Sequence, residues 1–438
     1  MSPKPSGVTT VDCFVISGGK RLKGTVAISG SKNAALPLMA ASILTEGETV
    51  LKGVPDLTDI RSLSYLLEKL GVRVFHSDNG NISLKVEDEM NCHAEYELVR
   101  QMRASVCVMG PLLAKRGRAQ VSLPGGCNIG YRPINLHLQG LEALGATVEL
   151  VGGDIHLKAK RLKGAEIFLG GPFGSTVLGT ANIMMAACLA DGTSVIECAA
   201  CEPEVVDLAN YLNACGARIT GHGTPRITIE GVSELKGVEH TVIPDRIEAG
   251  TILVAAAITN GDVRLSNCRL DHLLAVVDRL KAIGVHVERT TDGSVQVSSA
   301  RRLEPVEMTT QPYPGFPTDL QAQMMALLCL ADGNSIITEK IYPDRFVHVA
   351  ELNRMGAILR KEGPTVIVEG VKQLIGAPVM ASDLRASAAL VLAGLVAKGK
   401  TTVSRVYHID RGYDRIELRL NALGADIKRL PEKYADHQ

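Results

Sequence analysis

Tryptophan is absent from this chain of 438 residues, and six phenylalanines and nine tyrosines are its only aromatic residues. Whatever cores it builds must therefore be aliphatic. An excess of charge is missing too, since 47 acidic residues balance 47 basic ones. That balance gives no electrostatic case for nucleic acid or an anionic membrane as the main partner. No apolar segment follows Met1-Ser2-Pro3-Lys4-Pro5, so no secretory signal is expected. The longest apolar run, 386–397, is too short to span a bilayer and reads as a buried helix. Ten cysteines lie scattered without framework spacing, and reduced thiols in a cytoplasm are the expectation. Cys198 and Cys201 have CxxC spacing, but no second pair and no histidine pair follows at zinc-finger distance. With no metal-ligand cluster, no GxGxxG and no serine elbow, neither a metal nor a cofactor is expected.

What the chain does contain is repetition. Its length exceeds the roughly 250–300 residues at which one hydrophobic core stops growing, so two domains are expected. Near-identical helix endings recur at Leu70-Gly71, Leu144-Gly145, Cys215-Gly216, Ile283-Gly284, Met355-Gly356 and Leu423-Gly424. Glycine there fits the left-handed position just past a helix end. Within each unit an apolar, small-residue helix comes first: 34–44, 104–114, 180–190, 250–259, 320–331 and 386–397. A glycine turn, a short strand and an amphipathic helix follow. Leu273, Val276, Val277, Leu280 and Ile283 show the single apolar stripe of that second helix. The first helix of each unit should be buried and the second half exposed. Six α/β units point to two similar halves of three, with a ligand between them.

Four stretches carry chemistry. Val121 to Pro133 is a loop with a proline near each end, three glycines, the thiol of Cys127, and Arg132 five residues later. Such a loop is able to close over a site with a reactive group at its tip. Lys32 stands just before a helix, where free N–H groups favour an anion, although a capped helix with a solvated lysine reads the same way. Tyr313-Pro314-Gly315-Phe316-Pro317-Thr318-Asp319 is a fixed turn ending on a carboxylate, either an ordinary N-cap or a general base. Arg345, Arg385 and Arg411 sit in the fifth and sixth units beside Asp344, Asp383 and Asp410. They are either surface ion pairs or forks for phosphate and carboxylate. Asp245-Arg246-Ile247-Glu248 marks the same place in the fourth unit.

Taken together, 28–37, 122–132, 315–319, 383–387 and 407–413 resemble UDP-N-acetylglucosamine 1-carboxyvinyltransferases, a family of enolpyruvyl transferases. The resemblance runs from about residue 18 to 430. It implies an α/β fold of two similar domains, each of three βαβαββ repeats around buried central helices, an inside-out α/β barrel with the site in the interdomain cleft. The domains would be 1–31 with 244–438, and an inserted 32–243 carrying the Cys127 loop. It implies a reaction as well. The 3-hydroxyl of UDP-N-acetylglucosamine adds to C2 of phosphoenolpyruvate while C3 takes a proton, and the ketal then loses phosphate and a C3 proton. This is the first committed step of peptidoglycan precursor synthesis, with two small-molecule substrates, no cofactor and no membrane insertion.

Carried over, Cys127 is the acid and the thiol that becomes loaded with enolpyruvate, and Asp319 is the base facing the sugar hydroxyl. Lys32, Arg132 and Arg411 are phosphate ligands. Arg345 and Arg385 are carboxylate ligands, and Asn33 lies beside the phosphoenolpyruvate. Arg103, Arg132, Pro133, Ile134, Asn135, Leu136, Thr176, Val177, Asp319 and Ile341 are contacts to the UDP-sugar. Each cation at ~4 Å offers about 4 kcal/mol at an effective dielectric near 20, so such an anion calls for several. Three departures from the family's pattern stand out. Asn135 replaces an acidic residue of the uracil segment, Thr176 to Thr180 replace a Ser-Val-Gly-Ala-Thr run, and Cys201 replaces an arginine before Glu202-Pro203-Glu204. Open alternatives are a UDP-sugar enolpyruvyl transferase of a specialised pathway, the shikimate-pathway enolpyruvyl transferase, and a non-catalytic UDP-sugar-binding paralogue.

Overall fold

The computed structural model describes residues 11–77, 79–100, 102–123, 133–299 and 302–432. Among these, six four-stranded sheets repeat one pattern. A short edge strand runs parallel to its neighbour, and two further strands continue antiparallel. In the fifth unit Glu307–Thr309 runs parallel to Asn334–Thr338, with Thr365–Glu369 and Ile358–Glu362 following antiparallel. A parallel pair needs a crossover, and the helix Gln321–Leu328 provides it. An amphipathic helix, His348–Arg354, then leads into the hairpin.

The crossover helices are Lys32–Ala41, Met109–Arg116, Val177–Ala187, Arg246–Ile258, Gln321–Leu328 and Leu384–Val396. They are buried almost throughout, because small side chains on every face let neighbouring helices and sheets close in from all sides. The second unit departs from the single helix expected over 104–114. It runs as a 3-10 helix, Arg103–Val108, before turning α-helical at Met109. Pro111 explains the break, since its ring would press on the carbonyl of Cys107 in a continuous α-helix. All six helix-ending glycines take positive φ, between 81° and 109°. The stripe of Leu273, Val276, Val277, Leu280 and Ile283 is buried as expected.

Two apolar cores result. One draws on 14–28 and 247–427, the other on 34–242. Strand exchange explains the split. Asp12–Ser17 completes the last sheet, between Lys400–Ser404 and Ile427–Pro431. Lys23–Ala27 supplies the parallel edge of the fourth sheet, and Glu239–Thr241 that of the first. The chain passes between cores at two places that lie side by side. Gly30 bridges Pro244, Ser31 N–H donates to Ile243 O at 2.7 Å, and Asp245 N–H donates to Ser29 O at 2.8 Å. Glycine is required at position 30, where a Cβ would lie 2.0 Å from Gly53 O. Among the described residues, no helix is long and apolar enough to cross a membrane.

Candidate active site

The crossing delivers Lys32 to the space where the two cores meet. Ser31 caps its helix, with Oγ accepting the N–H of Ala34 at 3.3 Å. The lysine is buried, not solvated. Its Nζ donates to Asp59 Oδ2 at 2.8 Å, and Arg411 Nε donates to Asp59 Oδ1 at 2.9 Å. Arg411 ends the 3-10 helix Val406–Arg411, so this contact joins the two cores. Burial pushes Asp59 toward its neutral form, yet Lys32 and Arg411 outweigh it and hold the carboxyl below its ordinary value. Asp245 ties the lysine from behind. Its Oδ2 accepts the backbone N–H of Lys32 at 3.3 Å, and its Oδ1 caps Arg246–Ile258. Asn33 follows in the same first turn, half-buried.

A second carboxylate organises the other pair of cations. Asp319 lies inside a 3-10 turn, Thr318–Leu320, and caps neither that turn nor the helix after it. Its side chain faces two guanidiniums instead. Arg345 NH1 donates to Oδ1 at 2.8 Å and Arg385 NH2 to Oδ2 at 3.2 Å. Burial opposes ionisation of Asp319, but Arg385, Arg345 and Lys32 hold it far below the usual carboxylate range. Among the described residues, the guanidiniums of Arg345, Arg385 and Arg411 do not pair with the aspartates near them in sequence, and Asp344 lies 4.0 Å from Lys361 Nζ. Asp383 instead caps Leu384–Val396, and Asp410 takes Arg429. Glu339 sets the approach of Arg345. This buried carboxylate accepts from Thr310, Thr318 and the N–H groups of Ile341 and Tyr342. Thr318 Oγ1 in turn accepts from Arg345 NH1 at 3.0 Å. Arg385 lies with its guanidinium carbon 5.3 Å from the ring centre of Tyr413.

Most residues expected to contact a UDP-sugar lie in the 34–242 part of the chain, and the turn before Thr176 meets the turn that leads to Asp319. Pro133 and Asn135 are exposed, Ile134 is buried, and Leu136 is half-buried at the head of the helix Asn135–Ala143. Thr176 caps Val177–Ala187 through Gly179 N–H, and Val177 is exposed. Leu136 packs by Gly171, and Gly174 packs against Pro312, in the turn leading to Asp319. Arg103 begins its 3-10 helix within electrostatic reach of His137. Burial and that cation lower the His137 pKa to about 3, so the ring is neutral when its Nδ1 meets Asn182 Nδ2 at 2.9 Å. Ile341 is half-buried. Cys127 and Arg132 lie outside the described residues.

Several residues here escaped the sequence reading. Asp59 is the most consequential. Its position, four before Leu63 and eight before Leu67, puts it on the buried face of Thr58–Lys69, and a carboxylate on an apolar stripe is a signal. The pairing of Glu204 with Arg246, both named in the sequence reading, is another contact it missed. Arg246 Nε donates to Glu204 Oε1 at 2.9 Å, joining the cores beside Tyr313, whose ring centre is 5.5 Å from the guanidinium.

Comparison with known proteins fits this geometry. The sequence pattern of the family described as EPSP synthase (3-phosphoshikimate 1-carboxyvinyltransferase) matches residues 16–420. The UDP-N-acetylglucosamine 1-carboxyvinyltransferase of Geobacter metallireducens is 55% identical over 423 residues, covering 96% of this chain and all of that one. That of Methylacidiphilum infernorum is 51% identical over 420 residues, covering 96% and 99%. The chain belongs to the UDP-N-acetylglucosamine 1-carboxyvinyltransferase family. Among solved structures, the enolpyruvyl transferase NikO from Streptomyces tendae superposes with a TM-score of 0.87 at 25% identity, covering 96% of this chain and 99% of that one. EPSP synthase from Acinetobacter baumannii shares the fold, with a TM-score of 0.74 at 20% identity over 96% and 100%. The α/β enolpyruvyl transferase fold implied by the resemblance is thus the fold observed, and the chain is a transferase of this family.

Proposed function

We propose that this protein transfers the enolpyruvyl group of phosphoenolpyruvate to the 3-hydroxyl of UDP-N-acetylglucosamine, with release of phosphate. The observation that carries this reading is the convergence of Lys32 and Arg411 on one carboxylate and of Arg345 and Arg385 on another, in a chain more than half identical to enzymes of that name. Lys32, Arg411 and Arg132 would take the phosphate, and Arg345 and Arg385 the carboxylate of phosphoenolpyruvate, with Asn33 beside it. Asp319 would accept the proton of the sugar hydroxyl. Cys127 would deliver a proton to C3 and carry the covalent enolpyruvyl adduct. Arg103, Pro133, Ile134, Asn135, Leu136, Thr176, Val177 and Ile341 would hold the UDP-sugar. General acid–base help of this kind is worth typically ~10²–10⁴ in rate.

The two apolar cores support a division into two domains, 1–31 with 244–438 and 32–243, and a cytoplasmic role in building peptidoglycan precursors follows from the substrates. The test is release of inorganic phosphate from phosphoenolpyruvate, dependent on UDP-N-acetylglucosamine. Shikimate 3-phosphate should not replace the UDP-sugar. Absence of phosphate release with the UDP-sugar would leave a binding paralogue as the reading. Cys127→Ser should abolish alkylation by an epoxide such as fosfomycin, and labelling retained in that variant would remove Cys127 from the site.

A further inference from the structure

The contacts of Asp319 conflict with the work proposed for it. A carboxylate whose two oxygens each accept from a guanidinium is a poor base, since protonating it means breaking a charge-assisted hydrogen bond. Both oxygens of Asp319 are engaged, Oδ1 by Arg345 at 2.8 Å and Oδ2 by Arg385 at 3.2 Å. The same two guanidiniums are the ones proposed to take the carboxylate of phosphoenolpyruvate. A second observation points to a ligand at this place. Arg385 is buried to 2% exposure, spends NH2 on Asp319, and leaves Nε and NH1 without a hydrogen-bond partner among the described residues. Buried donors on a charged group are costly to leave unmade, so an entering anion finds them ready.

We infer that the carboxylate of Asp319 and the carboxylate of phosphoenolpyruvate compete for Arg345 and Arg385, and that entry of the substrate frees Asp319 to act as base. The substrate that supplies the enolpyruvyl group thereby switches on the group that deprotonates the acceptor. This rests on the function proposed above. It adds an order of events: Asp319 gains its proton affinity only when phosphoenolpyruvate is in place. No bond beyond hydrogen bonds is made or broken in the exchange. Arg345 keeps Thr318 as a partner throughout, so its guanidinium holds its position while the anion changes. The half-exposed carboxylate of Asp319 has space to turn away, whereas both arginines are buried and fixed.

Calorimetric titration of wild type and Asp319→Asn with three probes tests the exchange. Removing the competing charge should tighten phosphoenolpyruvate and pyruvate by about tenfold, the worth of one contested charge-assisted hydrogen bond. Inorganic phosphate, which the Lys32 and Arg411 pair would hold, should change by less than twofold. Equal or weaker binding of phosphoenolpyruvate and pyruvate to the variant overturns the competition while leaving the proposed substrate intact. Failure of phosphoenolpyruvate to bind either protein overturns both. A measurement free of any variant is a crystal structure of the wild-type chain with phosphoenolpyruvate bound. At least one of the two Asp319 contacts should open beyond hydrogen-bond distance, and retention of both would refute the exchange.

Discussion

The two carboxylate-centred clusters are built inside out relative to one another. At Asp59 the carboxylate is hidden, its side chain 4% exposed, and one of its cations, Arg411, is 36% exposed. At Asp319 the carboxylate is 27% exposed and its cations, Arg345 and Arg385, are 7% and 3% exposed. Their origins differ as well. Lys32 and Asp59 come from the 34–242 side and Arg411 from the other, whereas Asp319, Arg345 and Arg385 all lie in the segment that forms the 247–427 core. An anchor set behind the more exposed Arg411 can stay in place while that arginine meets an anion. A carboxylate set in front of its cations must yield to one. The first cluster depends on the two cores being together; the second is complete within one.

The largest effect should come from the front carboxylate. Asp319→Asn should lower kcat by about 10²–10⁴ while both substrates still bind, as loss of a general base does. Near-normal turnover in a rapid-quench assay would remove the base role from Asp319 and with it the contrast between the clusters. Asp59→Asn should act on binding more than on chemistry. It leaves Lys32 buried without its counter-charge, so unfolding should become easier by about 3 kcal/mol and KM for phosphoenolpyruvate should rise by about tenfold or more. Denaturant titration and initial rates read the two separately. If kcat falls as far as in the Asp319 variant, the anchor and the base are not distinct.

Acid sharpens the comparison further. Asp59 is held below its ordinary value, so the stability it contributes is present above that value and is lost as pH falls through its depressed folded pKa. Glu248, beside the crossing, behaves oppositely. Burial raises it from 4.5 to about 7, against the pull of Arg419. A raised carboxyl favours the fold below about 4.5, and that contribution is lost as pH climbs toward about 7. Glu248→Gln should therefore flatten the decline of melting temperature over that interval and leave unchanged the acid limb, to which Asp59 and Asp319 both contribute. The smallest effect should follow from Gly174→Ala. A Cβ there would lie 2.6 Å from Pro312 Cγ, with φ at 100°. The turn carrying Asp319 should shift slightly and KM for the UDP-sugar should rise a fewfold, with the Asp59 cluster and the KM for phosphoenolpyruvate untouched.

Much of this was legible in the residues. The six repeats announced themselves through glycine at helix ends, because a left-handed backbone position selects glycine wherever it recurs. Buried crossover helices were visible as runs of small apolar residues without a polar face. Lys32, Asp319, Arg345, Arg385 and Arg411 stood out as charges placed beside turns and helix starts. What they touch was not legible. Each arginine sits next to an aspartate in sequence, and sequence alone favours those neighbours, yet the fold gives Asp383 to a helix cap and Asp410 to Arg429. Partners separated by 352 residues, such as Asp59 and Arg411, follow only from the strand exchange between the cores. Pro111 in the second unit was a local signal passed over, and it divides the expected helix.

The side-by-side passage of the chain at Gly30 and Pro244 has a mechanical consequence. Two crossing segments joined by an isolated bridge and its hydrogen bonds would serve as an axle, and rotation about an axle displaces most what lies farthest from it. Lys32 stands two residues from that axle and is bound across it to Asp245. Any swing of one core against the other therefore leaves the lysine almost stationary, while the contact of Gly174 with Pro312 travels. A cleft hinged there would close like a jaw, with the lysine proposed to take the phosphate at its joint.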